Sequence, residues 1–183
     1  NFSILDIIWV LYDQILTQKD RFVLSKGHGC LALYVVLAEK GLVSKTEFLN
    51  HYGEYNSIFG GHPDRNKIAA IEASTGSLGH GLPIAIGMAM AARIKGNKTH
   101  IYCLIGDGEA NEGSVWESAL LAADHQLSAL CCIIDYNHST DRALNLGDIG
   151  AKFTAFGWKI HEIDGHNHDE IKKALQNFNT HKP

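Results

Sequence analysis

The stretch Ile101-Tyr-Cys-Leu-Ile-Gly-Asp-Gly108 is an apolar run that ends in a carboxylate flanked by glycines. A second run, Ala129-Leu-Cys-Cys-Ile-Ile-Asp135, ends just before Asn137. Short continuous apolar runs bounded by turn residues read as strands buried on both faces. Between them, Glu112–His125 reads as a helix, with Val115, Trp116, Ala119, Leu120 and Ala123 spaced for one face. Two neighbouring parallel strands would then deliver Asp107, Gly108 and Asn137 to one crevice, outside the carboxyl ends of the sheet where ligands of open α/β sheets bind. A hard divalent cation such as Mg²⁺ takes oxygen ligands, one or two of them carboxylates and the rest phosphate or water. Asp107 and Asn137 offer two such oxygens, and the main-chain carbonyl of Ser139 a third. Gly108 lets a phosphate approach the backbone, and the start of the following helix favours anions. Gly-Asp-Gly alone is more commonly a plain turn; the Asn placed behind the next strand is what gives it meaning.

Working outward, Ser3–Leu16 is predicted as a helix from the spacing of Ile4, Leu5, Ile8, Trp9, Tyr12 and Ile15, with Ser3 and Asp6 as a capping-type start. Leu31–Lys40 is predicted as a second helix stopped by Gly41, and Ser44 with Glu47 as a capping box opening a short helix toward Tyr52. From Gly53 to Ala73 the chain is loop-rich and carries Gly60-Gly-His-Pro63; a loop of that length inside a domain is more often functional than idle. Leu82–Ile94 is a helix of small residues, able to pack closely on the sheet or on a helix of a second subunit. A helix over Asp148–Phe156 closed by Gly157, a strand at Trp158–Ile163 and a helix at Asp169–Phe178 complete the run. The alternation predicts a single α/β domain over residues 1–183, a parallel sheet with helices on both faces.

Four motifs in order then carry a resemblance: Leu24-Ser-Lys-Gly-His28, Gly60-Gly-His-Pro63, Gly76-Ser-Leu-Gly-His-Gly81, and Gly106-Asp-Gly-Glu-Ala-Asn-Glu-Gly113 with Asp135-Tyr-Asn137. Together they resemble the diphosphate-binding domain of the transketolase family of thiamine-diphosphate enzymes, from about Phe2 to the end of the chain. The resemblance implies that Asp107, Asn137 and the carbonyl of Ser139 ligate Mg²⁺. It implies that His28 and Gly108 contact the diphosphate, within a cofactor-binding set that includes Gly106 and Glu109. It also implies that the Gly76-Ser77-Leu78 turn lies against the cofactor rings, that His62 reaches the donor sugar, and that Glu112 joins an acidic network at a subunit interface. His62, His28 and Glu112 are the candidate catalytic residues. Ser77 and His80 stand where many transketolases carry proline and glutamine, and the stretch from Asn137 to Trp158 is short for the family.

The implied reaction moves a two-carbon ketol unit from a ketose donor to an aldehyde acceptor. The alternatives are a 1-deoxyxylulose-phosphate-synthase-like ligase, a 2-oxo acid dehydrogenase component, or a cofactor-binding subunit without turnover. The family's pyrimidine-binding domain does not fit within 183 residues, so a C-terminal partner subunit or domain is expected, in a dimer or heterotetramer. The chain starts after the place where the family has a further histidine-glycine motif, and a truncated N-terminus is expected. Composition agrees: 45 % hydrophobic and 20 % charged residues are ordinary for a globular domain. A net charge of −4 with no basic run argues against nucleic acid or an anionic membrane. The longest apolar stretch, around Leu82 to Ala92, is too short to span a bilayer. Cys30, Cys103, Cys131 and Cys132 form no Cys-x-x-Cys and read as reduced core thiols of a cytoplasmic protein.

Overall fold

The computed structural model describes residues 1–141, 144–177 and 182–183. A three-stranded parallel sheet, in the order β1-β2-β3, is built from β1 (Arg21–Leu24), β2 (Ile101–Gly106) and β3 (Leu130–Asp135). The register pairs Leu24 with Leu104, and Gly106 with Asp135. All six residues of the middle strand are buried, as a strand covered on both faces requires. Its alternate side chains feed two separate cores. Tyr102 and Leu104 face the core built by α1 (Phe2–Val10), α2 (Cys30–Glu39), α3 (Lys45–His51) and α7 (His168–Gln176). Ile101, Cys103 and Ile105 face the core built by α4 (Gly81–Ile94), α5 (Gly113–Asp124) and α6 (Ile149–Phe156). Helices therefore cover both faces, as expected for the α/β class.

Local signals hold where a side chain can reach its own helix end. Ser44 accepts from Glu47 N at 3.2 Å, Asp148 accepts from Ala151 N at 2.7 Å, and Gly157 closes α6 at φ 104°. The Gly53–Ala73 loop is anchored by buried Phe59, whose ring lies 5.5 Å from Tyr34 and 5.4 Å from Phe48 in edge-on contacts. Among the described residues no helix is long and apolar enough to cross a membrane.

Three expectations are corrected. Strand β1 was not expected, because Arg21-Phe-Val-Leu24 is too short a run to stand out from the loops beside it. Ser3 and Asp6 do not cap the first helix: Ser3 Oγ donates to Asp135 Oδ2 at 2.7 Å, and Asp6 bonds His166 and His168 at 2.8 Å each. That helix continues from α1 as a π-helical segment, Leu11–Ile15. Trp158–Ile163 forms no strand. The indole of Trp158 donates to the Ala119 carbonyl at 2.8 Å, and Lys159 N donates to the Pro183 carbonyl rather than to β3. A groove of about 790 Å³ separates this segment from the outer edge of β3. The last helix ends at Gln176; Phe178, the expected end, lies outside the described residues.

Candidate cofactor site

The strand order brings three loop starts together: Ser25–His28 behind β1, Asp107–Glu109 behind β2 and Tyr136–Ser139 behind β3. Asp107 is buried at the centre. Its Oδ1 accepts from Gly108 N at 2.8 Å and from Ser139 Oγ at 2.7 Å. Its Oδ2 is buried and has no partner among the described residues, a condition it shares with Asn111 Oδ1. A buried carboxylate oxygen left bare costs free energy unless something binds it. Asn137 lies beside it, its Oδ1 accepting from Ser139 N at 3.0 Å and its Nδ2 donating to Asp135 Oδ2 at 3.0 Å. Asp107, Asn137 and Ser139 are thus brought together as the spacing predicts. Among the described residues no group of three or more His, Cys, Asp or Glu could hold a metal. What exists is one carboxylate, one carboxamide and a serine, an all-oxygen set suited to a hard cation completed by phosphate or water oxygens.

Beneath this set lies a layer of polar groups whose pairing the sequence does not announce. Lys26 Nζ sits 2.6 Å from Asp135 Oδ2, both side chains buried. Burial raises the Asp135 carboxyl, but hydrogen bonds from Lys26, Ser3 and Asn137 outweigh it and hold the group below the usual carboxylate range. On the other side of the same turn, Ser25 Oγ donates to Glu109 Oε1 and accepts from Gly81 N at 3.0 Å. Glu109 Oε1 also accepts from Gly79 N at 2.9 Å, and Oε2 from Gly106 N at 3.4 Å. Burial pushes the Glu109 carboxyl up, against those hydrogen bonds. Glu109 therefore ties three loops together and offers no bare carboxylate. Lys26 had one available signal: a charged residue two positions behind the apolar Phe22-Val-Leu24.

The Gly76–Gly81 turn packs on the end of β1. A Cβ on Gly27 would come within 2.8 Å of Gly76 N, so these backbones touch only because Gly27 has no side chain. Gly76 has φ +148° and lies against the His62 ring, where a Cβ would meet Cδ2 at 2.8 Å. Ser77 is exposed and Leu78 half-buried. Tyr34 donates to the His62 carbonyl at 2.8 Å and fixes that loop from below. His28 stands on a turn at Gly27–Gly29 with its side chain largely exposed; partial burial of the ring, then the neighbouring positive Lys26, lowers its imidazole below the usual range. Glu112 is exposed at the rim, where it caps α5 by backbone geometry without a side-chain bond.

A crevice with a buried carboxylate at the carboxyl edge of a parallel sheet defines the class: an α/β domain with a candidate ligand site where such sheets bind their ligands. Residues 11–183 match the family described as "Transketolase, thiamine diphosphate binding domain". The chain is 38 % identical to one subunit of the apulose-4-phosphate transketolase of Phocaeicola vulgatus, over 98 % of this chain and 67 % of that protein. It is 37 % identical to the 6-deoxy-6-sulfo-D-fructose transketolase subunit of a Clostridium species, over 96 % of this chain and 69 % of that one. The transketolase structure from Campylobacter jejuni superposes with a TM-score of 0.84 at 33 % identity, covering 97 % of this chain and 29 % of the other. The chain belongs to the transketolase family. It spans about two thirds of the subunit-type relatives and less than a third of the Campylobacter enzyme.

Proposed function

We propose that this chain is the diphosphate-binding part of a thiamine-diphosphate- and Mg²⁺-dependent transketolase that moves a two-carbon ketol unit from a ketose to an aldehyde. The observation that carries the reading is the bare, buried Oδ2 of Asp107 beside Asn137 and Ser139. The residues present fit the cation: Asp107 and Asn137 hold it, with the Ser139 carbonyl as the third oxygen. His28 and Gly108 face the diphosphate, and the Gly76–Leu78 turn supports the cofactor rings. When bound, the thiazolium supplies the electron sink for carbon–carbon cleavage, while the protein supplies placement. His62, fixed through its own carbonyl, orients the donor hydroxyls by hydrogen bonding. Glu112 stands at the rim, where a second subunit would meet it. The pyrimidine-binding half comes from a partner subunit or domain, a reading supported by the subunit names of two relatives. Donors and acceptors are small sugars, with a phosphate or similar anionic end by analogy with those relatives.

Calorimetric titration with thiamine diphosphate, with and without Mg²⁺, tests this. Metal-dependent binding that Asp107→Ala removes is the expected result. No binding, either by the chain or by the complex purified from its native source, overturns it.

A further inference from the structure

We propose that Lys26 is a positioning residue for cation binding: through Asp135 it sets which way the Asn137 carboxamide faces. The inference rests on the diphosphate-and-cation reading of the crevice. β1 and β3 are not neighbours, so the 2.6 Å Lys26–Asp135 pair must cross the middle strand. It crosses at Gly106, where even an added Cβ would lie 3.6 Å from Lys26 Cδ and 3.8 Å from Nζ. The Asp135 Oδ2 that takes the ammonium also takes the Ser3 hydroxyl at 2.7 Å and Asn137 Nδ2 at 3.0 Å.

A carboxamide has one donor end and one acceptor end, and an ionised carboxylate only accepts. Asp135 therefore holds the NH₂ end of Asn137. The oxygen is left on the side of Ser139 and Asp107, where it accepts Ser139 N at 3.0 Å and keeps a second lone pair. The opposite orientation would aim two N–H groups at the cation. Lys26 supplies the counter-charge that a buried carboxylate requires and fixes the oxygen to which Asn137 is tied. Outer partners of this kind orient metal ligands, and their loss typically costs about 10–100-fold in metal affinity.

The test is Mn²⁺ binding followed by electron paramagnetic resonance, in the presence of thiamine diphosphate. It uses the full natural chain together with the subunit that co-purifies with it. Lys26→Met is expected to weaken Mn²⁺ binding about 10–100-fold. Lys26→Arg, which keeps the charge, should recover most of the loss. Lys45→Met, which breaks the surface pair with Glu39, should leave affinity unchanged. A folded Lys26→Met protein with wild-type Mn²⁺ affinity overturns the inference while leaving the function standing. If Lys26→Met does not fold, Lys26→Gln is compared with Lys26→Arg. Affinity that follows the charge supports the role, and affinity that only follows the melting temperature overturns it. Wild-type protein that binds no Mn²⁺ with thiamine diphosphate overturns both readings.

Discussion

The floor and the mouth of the crevice handle buried charge in opposite ways. On the floor, Asp135 is paired with Lys26 and accepts two further hydrogen bonds, and Glu109 has donors on both oxygens. At the mouth, Asp107 has one oxygen bonded and the other buried, with no partner among the described residues. Among the described residues, Asp107 is the one of these three carboxylates that leaves a buried oxygen without a partner. The difference separates structural from ligand-directed acids better than residue type does. Burial of a charge without a partner is tolerated where a ligand ends it. The bridging side chains come from one turn behind β1, where Ser25 reaches Glu109 and Lys26 reaches Asp135.

The largest expected effect strikes the floor. Lys26→Ala leaves Asp135 buried without its counter-charge and should cost about 3–5 kcal/mol of unfolding free energy. Lys26→Met with Asp135→Leu together should cost clearly less, because no charge remains to strand. Urea unfolding of the two proteins makes the comparison, and equal losses would show that the pair is not the floor's critical element.

Asp107→Ala should do the reverse. Metal-dependent thiamine diphosphate affinity should fall at least about 100-fold, beyond what outer partners of a ligand usually cost. Unfolding free energy without ligand should change by only about 1 kcal/mol, because lost hydrogen bonds are set against relief of the bare oxygen. A large stability loss in the unliganded protein would erase the distinction between floor and mouth.

A smaller loss is expected from Ser25→Ala, which removes a donor from Glu109 and an acceptor from Gly81 N. The cost should be about 1–3 kcal/mol. Hydrogen exchange should quicken at Gly79 and Gly81 before it does in β3; uniform quickening would argue against a local pin.

The smallest effect belongs to a third carboxylate environment, on the surface. Asp6 holds His166 and His168 between α1 and the start of α7. Hydrogen bonds to the two histidines hold the Asp6 carboxyl low, and the bond to Asp6 raises the His166 imidazole. The histidine's contribution is complete below its unfolded pKa and is lost as pH rises through its raised folded value. The carboxylate's contribution is present above its unfolded pKa and is lost as pH falls through its lowered folded value. The clamp is therefore tightest in mildly acidic solution, between the two. Histidine titration by NMR should show His166 shifting down in Asp6→Asn, with a barely measurable change in melting temperature because solvent screens exposed pairs. No shift of His166 would mean that the clamp does not form in solution.

By itself, the sequence determined the parts whose cause is local. The apolar runs of β2 and β3, the caps at Ser44 and Asp148, the stop at Gly157, and the placing of Asp107 and Asn137 behind neighbouring strands all follow from periodicity and nearest neighbours. Only the tertiary structure decided which polar groups would be satisfied. Four residues of β1 became a strand because β2 offered them a ladder, whereas Trp158–Ile163 had the pattern of a strand but gave its first backbone N–H groups to the Phe153 carbonyl of α6 and the Pro183 carbonyl at the chain end. Lys26 found Asp135 from 109 positions away, across a glycine, and Glu109 was absorbed by loops far apart in sequence. A hydrogen bond or ion pair between distant residues depends on where the fold brings both ends, and neither end alone carries that information.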